Sequence, residues 1–434
     1  MRLKIFTIVA AIALLALAAS ARLAAQTNYT VVRLGALGGT QAAANSINDR
    51  GWAAGFANQE GDSVGHAALW VGASQPTDLG ALGGPNSNSA VAWPVKNNIG
   101  LVVGISDTAE DNPLGEAFSC WPFFTPGAPT GKICKGFRWV NGVMTPLPPF
   151  PGGYNSYATG ANNRGQVVGW AENGVHDPTC NTAFQVLRFR AVIWQPNGEM
   201  QELPPLPGDF TSAATAINDK GQVVGISGAC GIAVGGVSAA HSVLWENGVP
   251  TNIGDLGGHT WNTPTAINDQ GTVVGFSLPA GQDGTRNYEA FLWTKAGGIQ
   301  RLGKLPGDIR AGAFGVNEKN QVVGLSRGGP YLFRAFIWQS GGVLTDLNTL
   351  TVPGSPFLLY ANDINDAGEI AGQAFDPSTS EAPAFVAFPV AGRAAAAAAA
   401  GDSGAQTGAL PERLRQQLQR RPGLDPFGIG SGQK

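Results

Sequence analysis

The residues best equipped for chemistry are four histidines, four cysteines and a scatter of carboxylates beside glycines. His66, His176, His241 and His259 carry the side chain most suited to proton transfer and metal ligation. They fall in unrelated local contexts, and no Gly-x-Ser-x-Gly, His-Glu-x-x-His or phosphate-loop pattern accompanies them. A second possibility is carboxylate chemistry. Asp107, Glu110, Asp111, Asp209, Asp255, Asp283 and Asp308 would supply the acid and base of a glycosidase if two of them met across a sugar. Asp209 and Asp308 stand at the same place after a Pro-Gly pair, but the neighbouring copies hold Gly153 and His259 there. An aspartate that caps a turn explains such a pattern without catalysis. The sequence therefore favours a chain with no catalytic residue. A carbohydrate-active hydrolase or lyase is the alternative.

The elements that position these residues follow from a repeated phrase. Ile217-Asn218-Asp219-Lys220-Gly221-Gln222-Val223-Val224-Gly225 has seven versions, with its first Asn at 48, 97, 162, 218, 268, 317 and 365. A period of about 50 residues signals one supersecondary unit stacked many times. Each unit holds four short runs of β-branched and aromatic residues, bounded by Asn, Asp and Gly. Asn218 to Gly221 suits a tight turn whose last residue takes positive φ, and the sixth copy places Asn320 there. Asn141-Gly142, Asn197-Gly198 and Asn247-Gly248 join the third and fourth runs as hairpins. First strands rich in alanine suit a crowded axis. The aromatic that ends each third strand, Trp70, Trp139, Trp194, Trp245, Trp293, Trp338 and Phe388, suits packing between sheets.

The last copy lacks a fourth strand, and residues 29–34 supply one with no first three before it. Complementary ends predict circular closure, which leaves only short, protected edges. The expected fold is an all-β, seven-bladed β-propeller of four-stranded blades over residues 28–391, closed by an N-terminal strand completing the last blade.

The phrase Ile-Asn-x-x-Gly-x-Val-Val-Gly followed by Ala-Phe-Leu-Trp resembles the extracellular HAF-repeat family, named for a His-Ala-Phe tripeptide before the Trp. Here the tripeptide reads His66-Ala67-Ala68, Glu116-Ala117-Phe118, Glu289-Ala290-Phe291, Arg334-Ala335-Phe336 and Pro383-Ala384-Phe385. The resemblance spans about 360 residues. It implies an exported protein and carries no assigned reaction. The loss of most histidines argues against a metal-binding ladder.

Residues 1–25 read as a secretory signal peptide: Arg2 and Lys4, an apolar stretch over 5–19, then small residues. The apolar stretch is short for a membrane span. Residues 392–434 form an Ala-rich and polar tail expected to be mostly disordered. Setting aside Arg2, Lys4, Arg22 and the tail's six basic and three acidic residues leaves 18 basic against 27 acidic, a net charge of −9. That excludes a broad basic footprint for nucleic acid or anionic lipid. After export Cys120, Cys134, Cys180 and Cys230 should be oxidised. Three connectivities exist. We favour Cys120 with Cys134 and Cys180 with Cys230, because the second pair would bridge equivalent loops of adjacent blades.

In an antiparallel ring the two-to-three loops and the four-to-one links share one face. The long insertions over 107–136, 172–188, 228–240 and 278–287 all fall there. Variable loops on a rigid scaffold are where binding resides. Candidate ligand-binding residues are Trp121, His176, Arg286 and Tyr288 in the insertions, and Tyr154, Phe210, His259, Trp261 and Arg310 in the links. The Asn-Asp turns also suit calcium, but Asn98, Asn163 and Glu318 break any sevenfold carboxylate set, and a tight hairpin needs these residue types without an ion. No cofactor or metal is expected. The sequence points to a monomeric binding scaffold, secreted, on the cell surface or in the periplasm, whose partner is an unknown extracellular protein or glycan.

Overall fold

A computed structural model describes residues 28–72, 75–116, 124, 130–230, 240–328 and 333–390. The proposed signal peptide, the tail, Cys120 and Trp121 lie outside the described residues. Seven four-stranded antiparallel sheets follow one another along the chain. Blade 4 shows the pattern: Thr211–Ile217, Val223–Gly228, His241–Glu246 and Val249–Asn252, paired in that order. The last blade is built from Phe357–Ile364, Ile370–Phe375 and Ala384–Val390, with Asn28–Leu34 as its fourth strand. The terminal strand pairs Leu34 with Ala384, Val32 with Val386 and Asn28 with Val390. The molecule is a seven-bladed β-propeller with a three-plus-one seam.

The repeated phrase builds the turn facing away from the loops. Asn218 Oδ1 accepts from the N–H groups of Lys220 and Gln222 at 3.1 and 3.0 Å. Gly221 takes φ +80, and Asn320 takes φ +55 in the sixth copy, the positive value expected of it. The Asn218 amide then donates to the Asn268 carbonyl of the next blade at 2.9 Å. The following residue completes a ring. The N–H of Asp49 donates to Asn98, Asn98 to Asn163, Asn163 to Asp219, Asp219 to Asp269, Asp269 to Glu318, Glu318 to Asp366, and Asp366 back to Asp49. The mixture of Asp, Asn and Glu that broke the calcium pattern is thus a set of interchangeable acceptors: each site needs one oxygen.

A second set of bonds between blades lies within the inner strands. Their pairing slips by one residue at matching places, for example between Ala158 and Gly160, Ala214 and Ala216, and Pro264 and Ala266. The extra residue at such a bulge is freed from the ladder. Thr159, Thr215 and Thr265 use that freedom to donate to the carbonyls of Ala214, Pro264 and Ala313 in the neighbouring blades, at 3.0, 2.8 and 2.8 Å. Asn45 and Asn362 do the same toward Val91 and Ala44.

The tryptophans pack between blades as expected. Trp70, Trp194 and Trp245 are buried and donate to the carbonyls of Gly35, Pro148 and Pro204 in the links. Two details differ from the sequence expectation. Ala387, paired with Ile370, holds the place that Trp245 holds opposite Val223, while Phe388 is exposed beside Thr30. Asn141-Gly142 and Asn247-Gly248 take positive φ at both residues, whereas Asn197-Gly198 does so only at Gly198 within a wider turn.

Candidate functional site

The predicted residues of the loop-rich face fall into one dense group and several separate positions. The dense group joins blades 5, 6 and 7. Trp261 ends the link into blade 5, whose inner strand is Thr263–Ile267. Arg286 and Tyr288 close the insertion before Glu289–Thr294. Arg310 opens Arg310–Val316, the inner strand of blade 6, directly opposite Arg327 at the end of Val322–Arg327. The structure brings Trp261, Arg286, Tyr288 and Arg310 together. The Trp261 and Tyr288 rings lie 5.5 Å apart, the Arg286 guanidinium sits 5.4 Å from the Trp261 ring centre, and that of Arg310 sits 5.5 Å from Tyr288.

Four neighbours complete the group and were missed in the sequence. The Arg327 guanidinium lies 4.7 Å from the Phe333 ring, and Phe333 packs 5.6 Å from Tyr360. Phe276 supports Tyr288 at 4.8 Å. The rings of Trp261, Tyr288, Phe276 and Phe333 are buried, Arg310 and Arg327 are half-buried and Arg286 is exposed. The arrangement is therefore an aromatic floor under three guanidinium groups, a geometry that fixes their planes. Burial and the adjacent Arg310 and Arg286 charges push Arg327 below its ordinary pKa, against an opposing pull from Tyr360 and Tyr288. Trp261 adopts φ +62, uncommon for a large side chain.

The remaining predicted residues lie elsewhere. Phe210 is exposed beneath the Arg188 guanidinium, 5.6 Å away, and Arg188 faces Asp177 at 3.5 Å. His176 pairs with Leu187, so the insertion over 172–188 begins and ends as strand. That over 107–136 likewise opens with an Asp111–Lys132 pair. Cys180 and Cys230 form the expected disulfide between the insertions of blades 3 and 4. Cys134 is also disulfide-bonded, and Cys120 lies outside the described residues. The Tyr154 N–H donates to Glu172 at 3.0 Å, and its carbonyl accepts from Lys135. His259 is almost fully exposed, with its N–H on Asp283 at 2.9 Å.

Behind Tyr154 lies a buried carboxyl pair. Glu116 accepts from the N–H groups of Val186 and Leu187 at 2.9 and 2.7 Å, and Gln185 bridges it to Glu172. Burial, then the Glu172 charge, pushes the Glu116 carboxyl up to about 7. The insertion of blade 2 is thereby tied to blade 3.

Asp209 and Asp308 are each engaged within their own blades. Asp209 accepts from Ser227 at 2.6 Å and meets His241 at 2.9 Å. Asp308 accepts from Ser326 at 2.6 Å and from Arg334 at 2.7 Å. Both tie a link to its blade through a serine and a nitrogen-bearing side chain, His241 or Arg334, at the first position of the Ala-Phe segment.

No protein-family model matches the chain, and no curated protein matches it. Among solved structures it is similar to virginiamycin B lyase from Staphylococcus aureus, at 11% identity and TM-score 0.45, over 83% of this chain and 99% of that one. It is similar to TolB from Acinetobacter baumannii, at 11% identity and TM-score 0.41, over 68% of this chain and 62% of TolB. A third likeness is to the β-propeller domain of the Trilobed protease from Pyrococcus furiosus, at 14% identity and TM-score 0.41, over 70% and 79% of the two chains. These likenesses assign no activity or ligand, and the fold rests on the strand pairing itself.

Proposed function

We propose that this protein is an exported, non-catalytic binding module that acts as a monomer through the loop-rich face of its propeller. The observation that carries the reading is the meeting of Trp261, Arg286, Tyr288 and Arg310 beside the inner strands of blades 5 and 6. Arg310 opens an inner strand and the other three lie within three residues of a strand start, and a preformed site binds with less ordering cost. Export is supported by the signal-like pattern over residues 1–25, by the resemblance to extracellular HAF-repeat proteins and by the Cys180–Cys230 disulfide. The ligand is a glycan or protein met in the medium, at the cell surface or in the periplasm.

The hydrolase or lyase reading has less support, since Asp209 already serves Ser227 and His241, and Asp308 serves Ser326 and Arg334, in their own blades. A glycan array probed with the mature protein tests the proposal. The expected outcome is retention of a subset of glycans without turnover, weakened by Arg310→Gln. Turnover that disappears in Asp209→Asn or Asp308→Asn overturns it.

A further inference from the structure

We infer that the arginine cluster of blades 5 and 6 is an oxyanion site, taking the carboxylate, sulfate or phosphate group of an acidic sugar or similar small ligand. The inference rests on the reading of the loop-rich face as the binding surface and names the chemistry of its ligand.

The first argument is charge. Arg33, Arg188, Arg190, Arg301 and Arg334 each lie within 4.0 Å of a carboxylate. Arg286 and Arg310 have no carboxylate at that distance among the described residues, although the strands and loops of residues 28–390 carry a net charge of −9. The internal stretches outside the described residues contain no Asp or Glu. Arg310 and Arg327 also stand directly opposite each other on paired strands, where like charges repel. A domain with acids to spare has placed three cations together and set no carboxylate of the described residues within 4.0 Å of Arg286 or Arg310.

The second argument is hydrogen bonding. The Arg310 Nε–H is buried and has no acceptor among the described residues. A buried donor without a partner is uncommon and calls for an explanation. An oxyanion beside Arg310 would supply acceptors for guanidinium donors, and two-point pairing is what guanidinium groups offer to carboxylate, sulfate or phosphate.

The third argument is shape. The aromatic rings are covered by the guanidinium groups, so they serve as a platform and leave the cations facing the ligand. The positive φ at Trp261 places local strain in that platform, a feature concentrated at functional sites. Three cations in an acidic surrounding suit one or two oxyanions. A nucleic acid would be repelled by the rest of the surface.

Titration calorimetry on the full chain tests the site with trigalacturonate, a sulfated monosaccharide, inorganic phosphate and, as the uncharged probe, maltotriose. At least one oxyanion probe should bind, and maltotriose should not. Arg286→Gln and Arg310→Gln should each weaken that binding at least tenfold, while Arg50→Gln on the opposite face should leave it unchanged. The tightest charged probe identifies the source of the oxyanion. Arg286 is exposed and makes no hydrogen bond among the described residues, so its variant separates lost binding from lost folding. Silence from all three charged probes overturns the inference, as does binding indifferent to Arg286→Gln and Arg310→Gln. A neutral glycan that binds the loop-rich face would still leave the binding-module reading intact; one that maps to the tight turns would end both.

Discussion

Gly225 has no room for a methyl group. A Cβ there would stand 2.0 Å from the Ala213 carbonyl oxygen, and the corresponding glycines 55, 169 and 372 meet Ala43, Tyr157 and Tyr360 at 1.8, 1.8 and 1.9 Å. The bulge in each inner strand drives its carbonyl into this space, so the glycine that closes the Val-Val-Gly phrase is required by close approach, not by φ. Gly225→Ala should lower unfolding free energy by about 3 kcal/mol in urea titration. An unchanged midpoint would contradict the account of the bulge. A second residue-scale consequence concerns Glu116. Its carboxyl is held at about 7, above the ordinary value, so the folded form keeps the proton more tightly than the unfolded chain. The stability this provides is complete below the unfolded pKa near 4.5 and is lost as pH rises through about 7. Hydrogen-exchange protection of the Val186 and Leu187 amides, corrected for intrinsic rate, should fall about tenfold or more over that window. Glu116→Gln should flatten the profile, and a flat wild-type profile would refute the carboxyl pairing.

The strand is the scale at which the sequence was most informative. Seven copies of one phrase state the turn, the positive-φ position and the strand that follows, because all three depend on neighbours in the chain. Asn320 shows how far this goes, since a single departure from glycine kept the same backbone geometry. What stayed hidden depends on neighbours across blades. Thr159, Thr215 and Thr265 read as ordinary strand residues, yet each bridges to the next inner strand. Arg327 was passed over for the same reason, as it ends a Val-Val-Gly strand. Its signal was a departure from the repeat: the fourth copy has Gly228 at the place opposite the first inner-strand residue, where the sixth has Arg327. Trp261, Arg286, Tyr288 and Arg310 were found because they lie in loops, where large polar and aromatic residues stand out. At this scale Thr215→Val keeps the strand but removes the bond to Pro264. It should cost about 1 to 2 kcal/mol with little change in secondary structure by circular dichroism. A neutral outcome would mean that the bridge between blades contributes nothing.

The whole molecule is held as a wheel by three kinds of closure. The N-terminal strand completes blade 7, the turn residues pass one hydrogen bond around all seven blades, and inner-strand side chains bridge neighbours. The wheel has two unlike faces. One carries tight turns locked to each other, and the other carries the insertions, the disulfide between blades 3 and 4 and the arginine cluster. Under the proposed function, this division confines binding to a single face. The most direct measurement is hydrogen exchange by mass spectrometry on the full chain, with and without trigalacturonate. The account predicts slowed exchange around Trp261, Arg286 and Arg310 and no change in the turns that begin at Asn48, Asn218 and Asn317. Slowing confined to those turns, or no change anywhere, would contradict it.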